Sequence, residues 1–445
     1  MPGSMARQRA TETARIVAVT HDGRGIAEAP GKKVFVAGAL QGEEVRFMRR
    51  KRHRSYDDAE LLEVLSASPS RVQPRCEVYG VCGGCSLQHV TAAEQRHIKE
   101  QSLRDNLSRI GRAEPQQWLP PLFDSSADGS WRYRRRARLA VKDVAAKGRV
   151  LVGFRERHAP YVTNMLRCEV LAEPVDHLIG ALSDLIGRLG IRSRLPQVEV
   201  AVADNCTELV FRVLDPPGMA DRQAMIAFAK QHGLQIALQS GGLDSVEPLY
   251  PIPPETLYYD LPGYGLRMEF AATDFVQVNA AVNRLMIGRA LELLRPEPGD
   301  SVLDLYCGIG NFSLPVAGRA ARVLGIEGDH RLVSRARQNA KRNRIANCEF
   351  AVADLAAADG SEAWMARTWG KLLLDPARAG AIELLMHVER MSPERIVYVS
   401  CHPGTLARDS GELVHRFGYK FEAAGIIDMF PHTAHVESIA VFSKK

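Results

Sequence analysis

The chain has no run near the ~18 consecutive apolar residues that crossing a bilayer requires. Its opening residues, MPGSMARQRATETAR, carry no apolar segment of the kind a secretory leader needs. Both absences speak against a membrane-embedded or exported protein, and a cytoplasmic location is expected. With no export signal, the eight cysteines at 76, 82, 85, 168, 206, 307, 348 and 401 are not expected to form a disulfide framework, so metal binding, catalysis or burial must account for them. Net charge is also scarce, at +6 over 445 residues. The positive charge is nevertheless gathered into stretches: RFMRRKRHR at 46–54, WRYRRRAR at 131–138, and the run from Arg331 to Arg344. Clusters of this kind in a chain of modest net charge point to a polyanionic partner held through its phosphates, most simply nucleic acid.

What is present is an ordinary globular balance, 46% apolar and 25% charged, in a chain long enough for about two to three domains. Residues 1–14 read as a disordered or appended start. Residues 15–67 read as a small all-β module of five short runs, ARIVAVT, GIAEA, KKVFVAG, EEVRFMRR and AELLEVL, broken by HDGRG, PGK and ALQGE turns. That number of strands suits an OB-type barrel, and RFMRRKRHR would give it a basic edge. Residues 68–265 read as a central α+β domain. It includes the helical pattern of AAEQRHIKEQSLRDNLSRIG and an Arg-rich strand expected to share one sheet with Cys168. Residues 266–445 alternate apolar strands (SVLDLY, ARVLGIE, CEFAVAD, KLLLD, RIVYVS) with helical segments and close with a hairpin. This is the pattern of a doubly wound, Rossmann-like α/β sheet.

Chemistry concentrates in four places. Cys76, Cys82 and Cys85 are spaced C-x5-C-x2-C among Gly80, Gly83 and Gly84, glycines that let the backbone close around a compact inorganic centre. A fourth thiolate is required, and Cys168 is the best candidate. Four thiolates fit zinc or an iron–sulfur cluster, and the lack of a second C-x2-C pair leans toward the cluster. In the C-terminal domain, SVLDLY runs into CGIGNF. Glu327 and Asp354 end the next two strands, where one carboxylate can take both ribose hydroxyls and the other an adenine amino group. Phe312-Ser313 stands where a dinucleotide motif has its third glycine. This favours a ligand without phosphates, such as S-adenosylmethionine (SAM). Asp375 follows the fourth strand and reads either as a helix cap or as a site carboxylate. FVQVN offers Phe275 for stacking, and Gln277 for a uracil edge or the methionine end of SAM. Cys401, at the carboxyl end of RIVYVS, sits where open α/β sheets hold their ligands. Glu437 lies in the closing strand.

In FVQVN, LDLYCGIGNFSL, DPARAG, YVSCHPGTLARD and DMFPHTAHVES, the C-terminal third resembles the SAM-dependent RNA uracil-5 methyltransferases. The β-module resembles a TRAM domain, and the cysteine set resembles the [4Fe–4S] ligands of that family. The likeness spans nearly the whole chain and is loose over about 175–260. Barrel plus cluster is the layout of the branch that modifies 23S ribosomal RNA, and the tRNA-modifying relatives lack both. The resemblance implies that Cys401 is the nucleophile and Glu437 the general base. By the same resemblance Gln277, Tyr306, Asn311, Glu327, Asp354 and Asp375 contact SAM, and Cys76, Cys82, Cys85 and Cys168 hold the cluster. It further implies a flipped uracil stacked near Phe275, a thiol ionised by a basic, partly open site, and a monomer acting on 23S rRNA. Another rRNA or tRNA uridine, and a non-catalytic iron–sulfur RNA-binding or redox protein, are the competing readings. Two positions depart from the family pattern: Ala377, where a second Pro is usual, and His402, where Asn is usual.

Overall fold

The computed structural model describes residues 11–20, 22–29 and 31–444. The expectation for residues 1–10 lies outside them, whereas Thr11 to Ala14 belong to the first strand and pair with Val45 to Met48. That strand, β1 (Thr11–Val19), forms a closed barrel with β2 (Arg24–Ala27), β3 (Lys33–Ala37), β4 (Glu44–Arg52) and β5 (Tyr56–Ser66), in the order β1-β2-β3-β5-β4. Alternate residues point inward, and Ile16, Val34, Val36, Val45 and Phe47 fill the interior. Closure leaves no unpaired strand edge. The expected basic edge is partly matched, because cross-strand carboxylates face three arginines of β4. Arg49 binds Glu12 and Asp57, Arg46 binds Glu63, and Arg50 binds Glu60.

After the cysteine-bearing loop come α1 (Ala92–Asn106) and the short β6 (Gln117–Trp118). Both were read from the sequence as parts of the central domain, but they pack on the far sheet. Leu103 and Leu107 share a core with Leu303, Tyr398 and Phe442, and β6 pairs in parallel with residues 423–424. Helical periodicity reveals an apolar face but not the surface it will cover.

The central sheet comprises β7 (Arg136–Val144), β8 (Arg149–Gly153), β9 (Gln197–Val202), β10 (Thr207–Arg212), β11 (Leu234–Gln239) and β12 (Val246–Tyr250), in the order β12-β11-β10-β9-β7-β8. Helices α2 (Val175–Arg188) and α3 (Met219–His232) join one face with Val200 and Leu209. The alternate residues Ala201 and Val210 join the core of the C-terminal half. Cys168 lies in an irregular loop beside Arg134, and not in this sheet as expected.

A hairpin, β13 (Leu257–Leu261) and β14 (Leu266–Phe270), and α4 (Ala280–Leu294) lead into the second sheet. It contains β15 (Ser301–Leu305), α5 (Ser313–Ala317), β16 (Arg322–Glu327), α6 (His330–Arg342), β17 (Cys348–Val352) and β18 (Lys371–Leu374). There follow α7 (Ile382–Leu385), α8 (Val388–Met391), β19 (Arg395–Ser400), α9 (Pro403–Gly411), β20 (Lys420–Ile427) and β21 (Glu437–Ser443). The strand order is β17-β16-β15-β18-β19-β21-β20-β6. The five strands from β17 to β19 are parallel, and β21 lies antiparallel between β19 and β20. The chain direction across the sheet reverses between β15 and β18, so a ligand crevice opens at their carboxyl ends. Behind that crevice Gly111 and Gly411 touch where the turn after α1 crosses α9. A Cβ on Gly111 would be driven into the carbonyl of Ala407, so only glycine fits there.

Candidate active site and cysteine centre

The crevice is a cavity of about 670 Å³ whose walls include Gln277, Tyr306, Glu327, Asp375, Cys401 and Glu437, with Phe275 at 67% exposure on its rim. Each arrives from a strand end. β15 stops at Leu305, and Tyr306 takes a left-handed φ of 66° as the chain turns through Gly308 and Gly310. Glu327 ends β16, where it accepts the Gly308 amide at 3.2 Å and the Asp329 amide at 3.1 Å. Asp375 leaves β18. The cap reading for it falls away, because the next helix begins at Ile382 and its cap position is Ala381. Cys401 follows β19. His402 caps α9, with Nδ1 accepting the Thr405 amide at 3.2 Å.

Glu437 is buried, although an isolated glutamate on a strand is more often solvent-facing. Ser400 is in register with Ser438 on the antiparallel neighbour, which brings Cys401 and Glu437 to facing positions. Thr433, His435 and Glu437 all line the cavity at a two-residue repeat, and His435 Nε2 lies 3.5 Å from Glu437 Oε1. His435, Thr433 and Arg134 were not singled out as site residues from sequence. The repeat within HTAHVES is the signal that could have found the first two.

Asn311 and Asp354 are not among the lining residues. The Asn311 amide is engaged with Asn283 (2.9 and 3.1 Å) and with the Tyr259 hydroxyl (2.9 Å), while Asp354 is exposed beyond β17. Asp304 is buried within β15. It accepts the Ser313 hydroxyl, and burial pushes its carboxyl up to about 7.

The electrostatics correct one expectation. The cavity does not favour the thiolate: burial, and then Glu437, push the Cys401 thiol up to about 11, with Arg378 opposing. Burial, and then Glu437, holds the Asp375 carboxyl well above the usual carboxylate range.

Cys76, Cys82, Cys85 and Cys168 line a second, smaller cavity. Its loop is pinned by Gly83 N–H donating to Arg155 O (2.8 Å) and by Cys168 N–H donating to Asp176 O (3.0 Å). The Gly84 amide points at Cys82 Sγ, 3.4 Å away. No three of the four sulfurs lie within 4.8 Å of one another. Burial raises the thiols of Cys85 to about 12 and Cys168 to about 11. Arg134 lines both cavities.

A doubly wound sheet with a glycine turn over a strand-end carboxylate, opening beside a cysteine, defines the SAM-dependent methyltransferase fold. Residues 259–445 match the family described as tRNA (uracil-5-)-methyltransferase. Among solved structures, the chain is similar to the Pyrococcus abyssi tRNA (uracil-54, C5)-methyltransferase in complex with S-adenosyl-L-homocysteine. That likeness has a TM-score of 0.75 at 23% identity and covers 97% of this chain and 99% of that one, so the N-terminal barrel is matched too and, contrary to the expectation from sequence, does not set the rRNA branch apart from tRNA-modifying proteins. Two relatives named 23S rRNA (uracil(1939)-C(5))-methyltransferase RlmD, from Alkalilimnicola ehrlichii and Nitrosococcus oceani, are 48% and 49% identical. Each match covers 97% of this chain and 96% of the relative. The one from Alcanivorax borkumensis is 45% identical over 99% of both. The chain belongs to this family of RNA uracil-C5 methyltransferases, on the RlmD branch.

Proposed function

We propose that this protein transfers the methyl group of SAM to C5 of a uracil in 23S rRNA through a covalent Cys401–C6 adduct. The observation that carries this reading is the joining of Cys401, Glu437 and Asp375 with Phe275, Gln277, Tyr306 and Glu327 around one cavity. Uracil C5 is a poor nucleophile on its own. Addition of the Cys401 thiolate to C6 moves the ring electrons into a C4 enolate, and C5 then attacks the methyl carbon as S-adenosylhomocysteine departs. Glu437 removes the C5 proton, and the electrons left behind re-form C5=C6 and expel the thiolate. Asp375, protonated in its buried setting, donates a hydrogen bond to the ring carbonyl as charge builds there. The ring must leave its RNA stack to reach Cys401, and exposed Phe275 is placed to receive it.

Glu327 would take the ribose hydroxyls of SAM, Gln277 its methionine end and Asp354, beyond β17, its adenine amino group. Asn311 supports the glycine turn through Asn283. The test is a transcript carrying 5-fluorouridine at the target, incubated with protein and SAM. The expected result is a denaturation-resistant crosslink mapping to Cys401. Its absence from a transcript that is otherwise methylated would overturn the covalent route.

Cys76, Cys82, Cys85 and Cys168 would hold a [4Fe–4S] cluster with a structural role. Four thiols around one cavity are the donor set such a cluster takes. Bound there, the cluster would tie loop 76–85 to Cys168. The barrel acts as a TRAM-type RNA-binding module.

A further inference from the structure

The connection that leads into Glu437 is held by residues far from it in sequence. Gln95 and Lys99 lie four residues apart on α1, face the same way, and are 2% and 1% exposed. A buried ammonium is costly unless it is paired. Lys99 Nζ donates to Asp428 Oδ1 at 2.6 Å and to Phe430 O at 2.9 Å. Gln95 Oε1 accepts the His432 amide at 2.8 Å, and its Nε2 lies 3.2 Å from His432 Nδ1. The His432 carbonyl accepts the Ser86 and Leu87 amides, both at 2.9 Å, directly after Cys85. Its ring stacks on Trp131 with centroids 3.8 Å apart. His432 is also in a left-handed conformation, φ 65°, that histidine rarely adopts unaided. Residues 428–432 are therefore anchored to the N-terminal half, and the next residues, at 433, 435 and 437, face the cavity.

We propose that Gln95 and Lys99 are positioning residues for proton removal: they fix the β20–β21 connection so that Glu437 meets the C5 proton. This rests on the reading of Glu437 as base. Neither side chain lines the cavity. The nucleophile follows β19, and Glu327 ends β16 while Tyr306 follows β15; no hydrogen bond of Gln95 or Lys99 reaches these segments. Loss of the anchors is therefore expected to act on the proton-removal step more than on thiol addition or SAM binding.

The experiment follows Lys99→Met, Gln95→Leu and Glu437→Gln with uridine RNA and methyl-labelled SAM. A denaturation-resistant, methylated RNA–protein adduct is expected to accumulate in all three and not in the wild type. Turnover should fall by about 10²–10⁴-fold in Glu437→Gln and by less in the α1 variants, while SAM affinity in all three and 5-fluorouridine crosslinking in the α1 variants change by no more than about twofold. Lys99→Arg is expected to recover part of the turnover. If Glu437→Gln gives no adduct, the base assignment fails. If it does and the α1 variants turn over like the wild type, the positioning role fails. Parallel loss of SAM binding, crosslinking and turnover would mean a merely structural role and also overturn it. Should Lys99→Met not fold, Lys99→Met combined with Asp428→Leu removes both buried charges. Normal turnover in that protein would be equally fatal.

Discussion

Cys401 stands opposite Glu437 one residue beyond the last registered pair of β19 and β21, so a thiolate and a carboxylate there repel each other. The thiol is pushed up to about 11, which keeps it protonated in the free protein at neutral pH. A negative neighbour disfavours the thiolate, so removing that charge lowers the pKa. Iodoacetamide modification of Cys401 in the free protein should therefore rise about tenfold per pH unit from 8 to 10 without a plateau. In Glu437→Gln the profile should shift to lower pH, with faster modification at pH 8. A plateau below pH 9 in the wild type would contradict the arrangement.

Phe275 is exposed at the cavity rim, so truncation should not disturb packing. Phe275→Ala should leave the melting temperature unchanged and lower kcat/KM for RNA by about 10–100-fold, the worth of one base–aromatic stack of about 1–3 kcal/mol. Its affinity for SAM should be unaltered.

The cysteine centre can be read by metal content. The protein purified without oxygen should be brown and hold about four irons per chain, and Cys82→Ser or Cys168→Ser should hold well under one. A colourless protein with about one zinc per chain would replace the cluster with a single ion. Loss of the metal should also weaken the 76–85 loop, measurable as faster proteolysis there.

Gly111→Ala forces a methyl group into the backbone of α9, which has no side chain to move aside. Overpacking of this kind costs about 1–3 kcal/mol. Urea unfolding should show a lower midpoint in Gly111→Ala with an unchanged slope.

The parts of the fold that could be read from sequence are those in which local pattern and environment coincide. RIVYVS and SVLDLY are apolar throughout because strands in the middle of a parallel sheet are covered on both faces, and glycine or proline ends each one. The cysteine spacing is legible for a similar reason, since three thiols within one short loop must converge. α1 and β6 fall within the range read as the central domain but pack on the C-terminal sheet, because their partners, α9 and β20, lie in the last quarter of the chain. That Arg49 and Arg50 of the basic stretch pair with Glu12, Asp57 and Glu60 could not be read locally, because these carboxylates face them only once the barrel closes. The raised thiol at 401 depends on carboxylates from two other strands, which no window around that cysteine contains. Asn311 kept the motif expected of it, but its amide turns to Asn283.

The pairing of β6 with β20 has a consequence for how the molecule is made. Gln117 and Trp118 leave the ribosome long before Ala423 and Ala424, and α1 emerges with a lysine whose counter-ion is not yet synthesised. The first quarter of the chain must therefore wait, incompletely packed, for the last. A nascent chain stalled before β20 would be open to protease at α1 even with its barrel already closed.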